Sequence, residues 1–127
     1  MTARHGLAFL LACSALIAHA GEPTSALSAC LEGAIEQGAL INGARLKCLE
    51  SELNALDRQL DRIRREDVRA QQRLADALAH WKRYRTAWCA YRTQATKQPN
   101  RYVNEALCRV EMTQTKLDEL RASRAAQ

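Results

Sequence analysis

The side chains of this 127-residue chain best suited to chemistry are its five cysteines and the run Trp81-x3-Arg85-x3-Cys89. Thiols can bind zinc, act as nucleophiles or pair oxidatively. Zinc is disfavoured because no CxxC occurs, and His80 is the only histidine beyond the first 20 residues. Nucleophilic catalysis needs a base and an orienting group converging on the nucleophile. His80 and the serines Ser25, Ser28, Ser51 and Ser123 suggest no such arrangement, and the carboxylates mostly alternate with Arg or Lys. The expected chemistry is disulfide formation. No catalytic residue, metal site or cofactor is expected, and the chain reads as a non-enzyme.

The amino terminus gives the compartment. Arg4 and His5 precede an uncharged apolar run from Leu7 to Ala18, and Ala18-His19-Ala20 has the small-x-small form of a signal-peptidase site. That run is shorter than the roughly 20 apolar residues of a membrane-spanning helix. Residues 1–20 are therefore expected to be a signal peptide cleaved near Ala20, leaving a periplasmic or secreted domain over 21–127. A second reading makes Leu10-Leu11-Ala12-Cys13 a lipoprotein signal with Cys13 acylated. Cleavage near Ala20 removes Cys13 and Arg4, leaving four cysteines and 18 basic residues against 14 acidic ones, a net charge of +4.

Four cysteines allow three pairings. In an antiparallel helical hairpin, residues equidistant from the turn face each other. The midpoint of Cys30 and Cys48 falls within Gly38-Ala39-Leu40-Ile41-Asn42-Gly43, and that of Cys89 and Cys108 within Lys97-Gln98-Pro99-Asn100. Both segments are turn-like. The expected bridges are Cys30–Cys48 and Cys89–Cys108, each closing a loop worth about 3 kcal/mol in the chain-entropy model.

The elements that must position these residues are helices. Thr24 or Ser25 can cap a helix reaching about Gln37, and another starts near Ala44. Leu46, Leu49, Leu53, Leu56, Leu60 and Ile63 recur at intervals of three and four, the period of a helical seam. The register continues through Leu74, Trp81, Tyr84, Trp88 and Tyr91 but is interrupted at Asp67. Residues 44–95 form either one long helix or, on the favoured reading, two meeting near 64–69. A single helix would leave the seam uncovered and open to coiled-coil dimerisation. A last helix spans about Arg101 to Ala122, with fraying from Arg121 onward. Strand signals are absent. The expected fold is all-α, a small antiparallel bundle of three or four helices stapled by two disulfides.

Trp81, Tyr84, Trp88 and Tyr91 continue the leucine seam, which favours core packing against the last helix. The sharper alternative is an aromatic strip for a partner or glycan, with Trp81, Tyr84, Arg85 and Trp88 as candidate binding residues. Arg85 can stack on Trp81 or Trp88, pair with Glu105 or Glu111, or face an acidic ligand. Charged faces such as Asp57-Arg58-x2-Asp61-Arg62 mix both signs, unlike a nucleic-acid-binding arm.

Taken together, these residues resemble the LprI-like family of exported bacterial proteins, named for a lysozyme inhibitor. The resemblance rests on Trp81, Arg85 and Cys89, then Cys108, Thr113, Lys116 and Leu120, with Cys48, Asp57 and Leu60 upstream. Asp61, Arg64, Leu78 and Lys116 depart from the family's usual Asn, Tyr, Gln and Arg, which marks a divergent member. The resemblance implies a periplasmic protein that binds and sterically blocks a cell-wall lytic enzyme, a lysozyme-like hydrolase or a toxin. A +4 protein forgoes long-range attraction to basic lysozymes, so a neutral or acidic enzyme fits better. The alternative is an envelope-associated structural protein, dimerising through the Leu46–Ile63 seam and contacting anionic polymers. Nucleic-acid binding and a transmembrane segment are not expected.

Overall fold

A computed structural model describes residues 25–36, 41–97 and 100–126. The expected leader with Cys13 and Ala20, the Thr24 cap, Gly38–Leu40 and Gln98-Pro99 lie outside the described residues.

Four helices follow in order: α1 (Ser25–Glu36), α2 (Ile41–Glu66), α3 (Gln71–Thr93) and α4 (Asn100–Ala125), with no strand among the described residues. The long apolar register does break, and Asp67 breaks it. The Asp67 N–H still donates to the Ile63 carbonyl (3.2 Å), closing α2, while Asp67 Oδ1 accepts the N–H of Ala70 (3.1 Å). That bond closes the turn 68–70 between the helices, while α3 itself starts after Ala70 without a side-chain cap. α3 then begins at once, with the Leu74 N–H on the Ala70 carbonyl at 2.8 Å.

The first hairpin corrects one boundary. Ile41, Asn42 and Gly43, expected in the turn, belong to the first turn of α2. Glycine in a helix costs about 1 kcal/mol relative to alanine. Burial of Cys48 and Leu49 in the following turns offsets it.

Both expected disulfides are present. Cys30–Cys48 and Cys89–Cys108 each have a Cα–Cα separation of 5.7 Å. The first clips α1 to α2, which is the only helix it packs on among the described residues. The second ties α3 to α4.

The core lies between α2 and α4, the most extensive contact in the molecule. Leu56, Leu60 and Leu117 are at most 1% exposed, joined by Leu49, Ile63, Leu78, Val103, Ala106 and Val110. α2 and α4 run parallel, with α3 returning between their ends. Accordingly Arg121 reaches Gln59 (2.7 Å) and Arg124 reaches Glu66 (3.0 Å). α4 is helical through Ala125, where fraying was expected from Arg121. The Leu46–Ile63 seam, which a single long helix would have left open, packs against the chain's own α4. Once α2 stops at Glu66, the chain folds back twice, and the apolar face of α4 lands on the seam.

Candidate functional site

The polar residues singled out in the sequence converge on one buried point. Arg85 projects from the middle of α3 and is only 5% exposed. Its Nη1 donates to Asp57 Oδ1 on α2 (2.8 Å) and to Thr113 Oγ1 on α4 (2.6 Å), and its Nη2 donates to Asp57 Oδ2 (3.2 Å). Thr113 passes its own proton to the Arg109 carbonyl at 2.6 Å, so its hydroxyl both accepts and donates. One guanidinium therefore links three helices. Its planar fork suits the task because it can engage both carboxylate oxygens at once.

Trp81 closes one side of this hub. The Arg85 Cζ lies 5.1 Å from the Trp81 ring centroid and the Lys116 Nζ lies 5.9 Å from it, so the ring meets cations from α3 and α4. Lys82 sits 3.8 Å from both Asp57 and Asp61. Leu60 is wholly buried beneath the hub, and Leu120 packs against the same core. Asp57, Leu60, Trp81, Arg85, Thr113, Lys116 and Leu120 thus form one neighbourhood, next to the bridge joining Cys89 and Cys108.

The carboxylate that Arg85 uses differs from the two expected. Glu105 pairs instead with Arg109 one turn further on. Glu111 lines a cleft on another side of α4. Arg85 is level with Thr113, and Glu105, eight residues earlier, is about 12 Å away along the axis at 1.5 Å per residue. Both terminal nitrogens are engaged internally, and Nε, which has no partner among the described residues, is buried, so Arg85 presents no donor at the surface to an external acidic ligand. The hub is a clamp. Replacing a buried ion pair by apolar groups is often neutral, whereas removing one partner costs about 3–5 kcal/mol. Its chief consequence is register among α2, α3 and α4.

The aromatic stripe corrects a second expectation. Tyr84, Trp88 and Tyr91 are 55%, 39% and 61% exposed, so they are not core. Their rings form a ladder. Tyr84 and Trp88 lie 6.1 Å apart with planes 14° from parallel, and Trp88 and Tyr91 lie 5.7 Å apart at 31°. The buried face of α3 is Leu78, Arg85, Cys89 and Thr93. Tyr84 and Trp88 each sit one residue before a buried position, a rotation of about 100° on a 3.6-residue helix. Only Trp81 of the stripe packs against the core.

Beside the ladder, an open cleft of about 310 Å³ lies between α3 and α4, lined by Trp81, Arg92, Met112, Lys116 and neighbouring residues. His80 is exposed, with Nδ1 2.9 Å from Arg83 Nη2. No group of His, Cys, Asp or Glu among the described residues could hold a metal ion. No described helix is long and apolar enough to cross a membrane.

The fold and its hub define a disulfide-stapled helical scaffold whose motif residues hold the helices in register. Residues 21–120 match the family model described as lysozyme inhibitor LprI, and the chain belongs to that family. Comparison with curated proteins and with solved structures gives no match.

Proposed function

We propose that this protein is a non-enzymatic, exported binding protein that docks on a cell-wall lytic enzyme and blocks it sterically. The observation that carries this reading is the match of residues 21–120 to the lysozyme inhibitor family. The match begins at the residue after Ala20, where the leader is proposed to be cleaved. The geometry supports a binding role in a second way. Arg85, Asp57 and Thr113 are consumed in holding helices together, while the rings of Tyr84, Trp88 and Tyr91 remain on the surface. A rigid body with exposed tyrosine and tryptophan suits protein recognition, because these residues dominate the energetics of interfaces at little entropic cost. Two disulfides suit an oxidising compartment.

Incubating the purified mature protein with lytic enzymes of basic and of acidic isoelectric point, on a suspension of cell-wall material, tests the proposal. Inhibition that saturates near one inhibitor per enzyme is expected for at least one of them. Neither inhibition nor co-elution with any enzyme would remove the reading.

A further inference from the structure

We infer that the outer face of α3, the Tyr84–Trp88–Tyr91 ladder and the cations beside it, is the docking surface, and that it fits an acidic segment of a partner protein. The inference rests on the binding role above for the kind of partner, but the surface itself is argued from this chain alone.

Three features point to this face. The first is the ladder. Three large rings lie between 39% and 61% exposed and stack on one another, so they are held in place before any partner arrives. Aromatic anchors that are already ordered lose little freedom on binding. A contiguous apolar patch of this kind on a small protein marks an interaction site.

The second is charge. α3 carries five bases, Arg73, Lys82, Arg83, Arg85 and Arg92, and one acid, Asp76. Lys82 and Arg85 are neutralised by Asp57 and Asp61. Arg73 and Arg92 are exposed and make no ion pair or hydrogen bond with the described residues, among which Arg83 bonds to His80 alone. Arg92 lies one turn beyond Trp88, so a cation stands at the end of the ring stack. Arg62, Arg65 and Arg69, also exposed and unpaired among the described residues, extend the positive field past the amino-terminal end of α3. Against these, Asp76 accepts a hydrogen bond from Gln72 at 3.0 Å, and Glu111 is the unpaired acid of the neighbouring cleft. On α3 the bases outnumber the acids five to one.

The third is the behaviour of the other acids and bases. Glu66, Glu105, Asp118 and Glu119 are each paired with an arginine or lysine. The acids of the adjoining α4 other than Glu111 are thus taken up, whereas Arg73 and Arg92 of α3 pair with no described residue. Aromatic rings flanked by arginine favour a partner offering carboxylates at the rim and apolar atoms at the centre.

Three probes decide the matter, each followed by the ring and indole NMR signals of Tyr84, Trp88 and Tyr91 in the mature protein. Poly-L-glutamate is expected to shift these signals at low salt and to lose most of the effect well above 0.15 M, where the screening length falls under about 8 Å. Poly-L-lysine is expected to leave them unmoved. In Tyr84→Ser/Trp88→Ser, with mass spectrometry showing both disulfides intact, polyglutamate binding should weaken about tenfold or more. In Arg73→Glu/Arg92→Glu the salt dependence should flatten. A chito-oligosaccharide that moves the rings while polyglutamate does not would overturn the inference in favour of a glycan platform. Polyglutamate binding that shifts only signals of Arg62, Arg65 and Arg69 would overturn it as well. The enzyme assay reports separately. Inhibition that survives Tyr84→Ser/Trp88→Ser defeats this surface and leaves the proposed function standing. Ring shifts with polyglutamate and no inhibition of any enzyme defeat the function and leave the surface.

Discussion

The two long faces of α3 differ in residue type and do opposite things. The inner face buries a charged arginine at 5% exposure, and the outer face leaves two tyrosines and a tryptophan at 39% or more. Hydrophobicity alone would sort them the other way. What sorts them is partnership. Arg85 finds a carboxylate on α2 and a hydroxyl on α4, so its desolvation is compensated. The rings of the outer face stack on one another, and none of the other three described helices covers them. A substitution on the inner face should therefore act on stability, and one on the outer face on association.

The largest effect is expected at Arg85. Arg85→Met removes the fork while leaving Asp57 and Thr113 in place, and should cost about 3–5 kcal/mol, read from denaturant unfolding followed by circular dichroism. Asp57 is a quarter exposed, so water can relieve part of its loss and the lower end of that range is expected. The double variant Arg85→Met/Asp57→Leu should recover much of the loss, since no uncompensated charge remains. If the double variant is as unstable as the single one, the hub is not an ion-pair clamp.

Next is the bridge that fixes α3 to α4. Cys89→Ala/Cys108→Ala should destabilise by about 3 kcal/mol by freeing a loop in the unfolded chain. Cys30→Ala/Cys48→Ala closes a loop of nearly equal length, separation 18 against 19, and in the entropy model costs the same. Its structural consequence should be confined to α1, which packs on α2 alone. Hydrogen exchange would then show α1 opening while α2, α3 and α4 stay protected. Exchange spreading evenly through all four helices would contradict that division.

A smaller effect is expected at Thr113. Thr113→Val keeps the shape of a fully buried side chain but deletes one acceptor for Arg85 and one donor to the Arg109 carbonyl. About 1–2 kcal/mol is expected, within the range for a buried hydrogen-bonding group removed while its partner remains. Smallest of all is the outer face. Trp88→Ser should change unfolding free energy by less than about 0.5 kcal/mol, as for exposed positions generally. A loss above 2 kcal/mol would mean that the ladder supports the fold, and the contrast between the two faces would fail.

The legible part of this molecule was its periodic and covalent part. The leucine seam at intervals of three and four announces α2, and the turn segments midway between cysteines announce both bridges without reference to the fold. The break at Asp67 was readable for a similar reason: an Asp side chain that bonds the backbone in a turn acts on its own neighbours, within three positions. The stacking of Arg85 on Trp81 was readable too, being a contact within one helical turn.

What the sequence left open involves residues far apart in the chain. Arg85 and Asp57 are 28 positions apart, as are Arg85 and Thr113, and nothing local distinguishes Asp57 from Glu105 or Glu111 as the partner. The choice depends on the level at which α2 and α4 cross α3, which packing fixes. The same holds for the aromatic stripe. Tyr84, Trp88 and Tyr91 share the spacing of the seam, yet the face of α3 turned inward is set by where Cys89 must meet Cys108 and where Arg85 must meet Asp57. Periodicity tells that a helix has a face. Which face is buried depends on the neighbours it meets, and those are known only once the chain has folded.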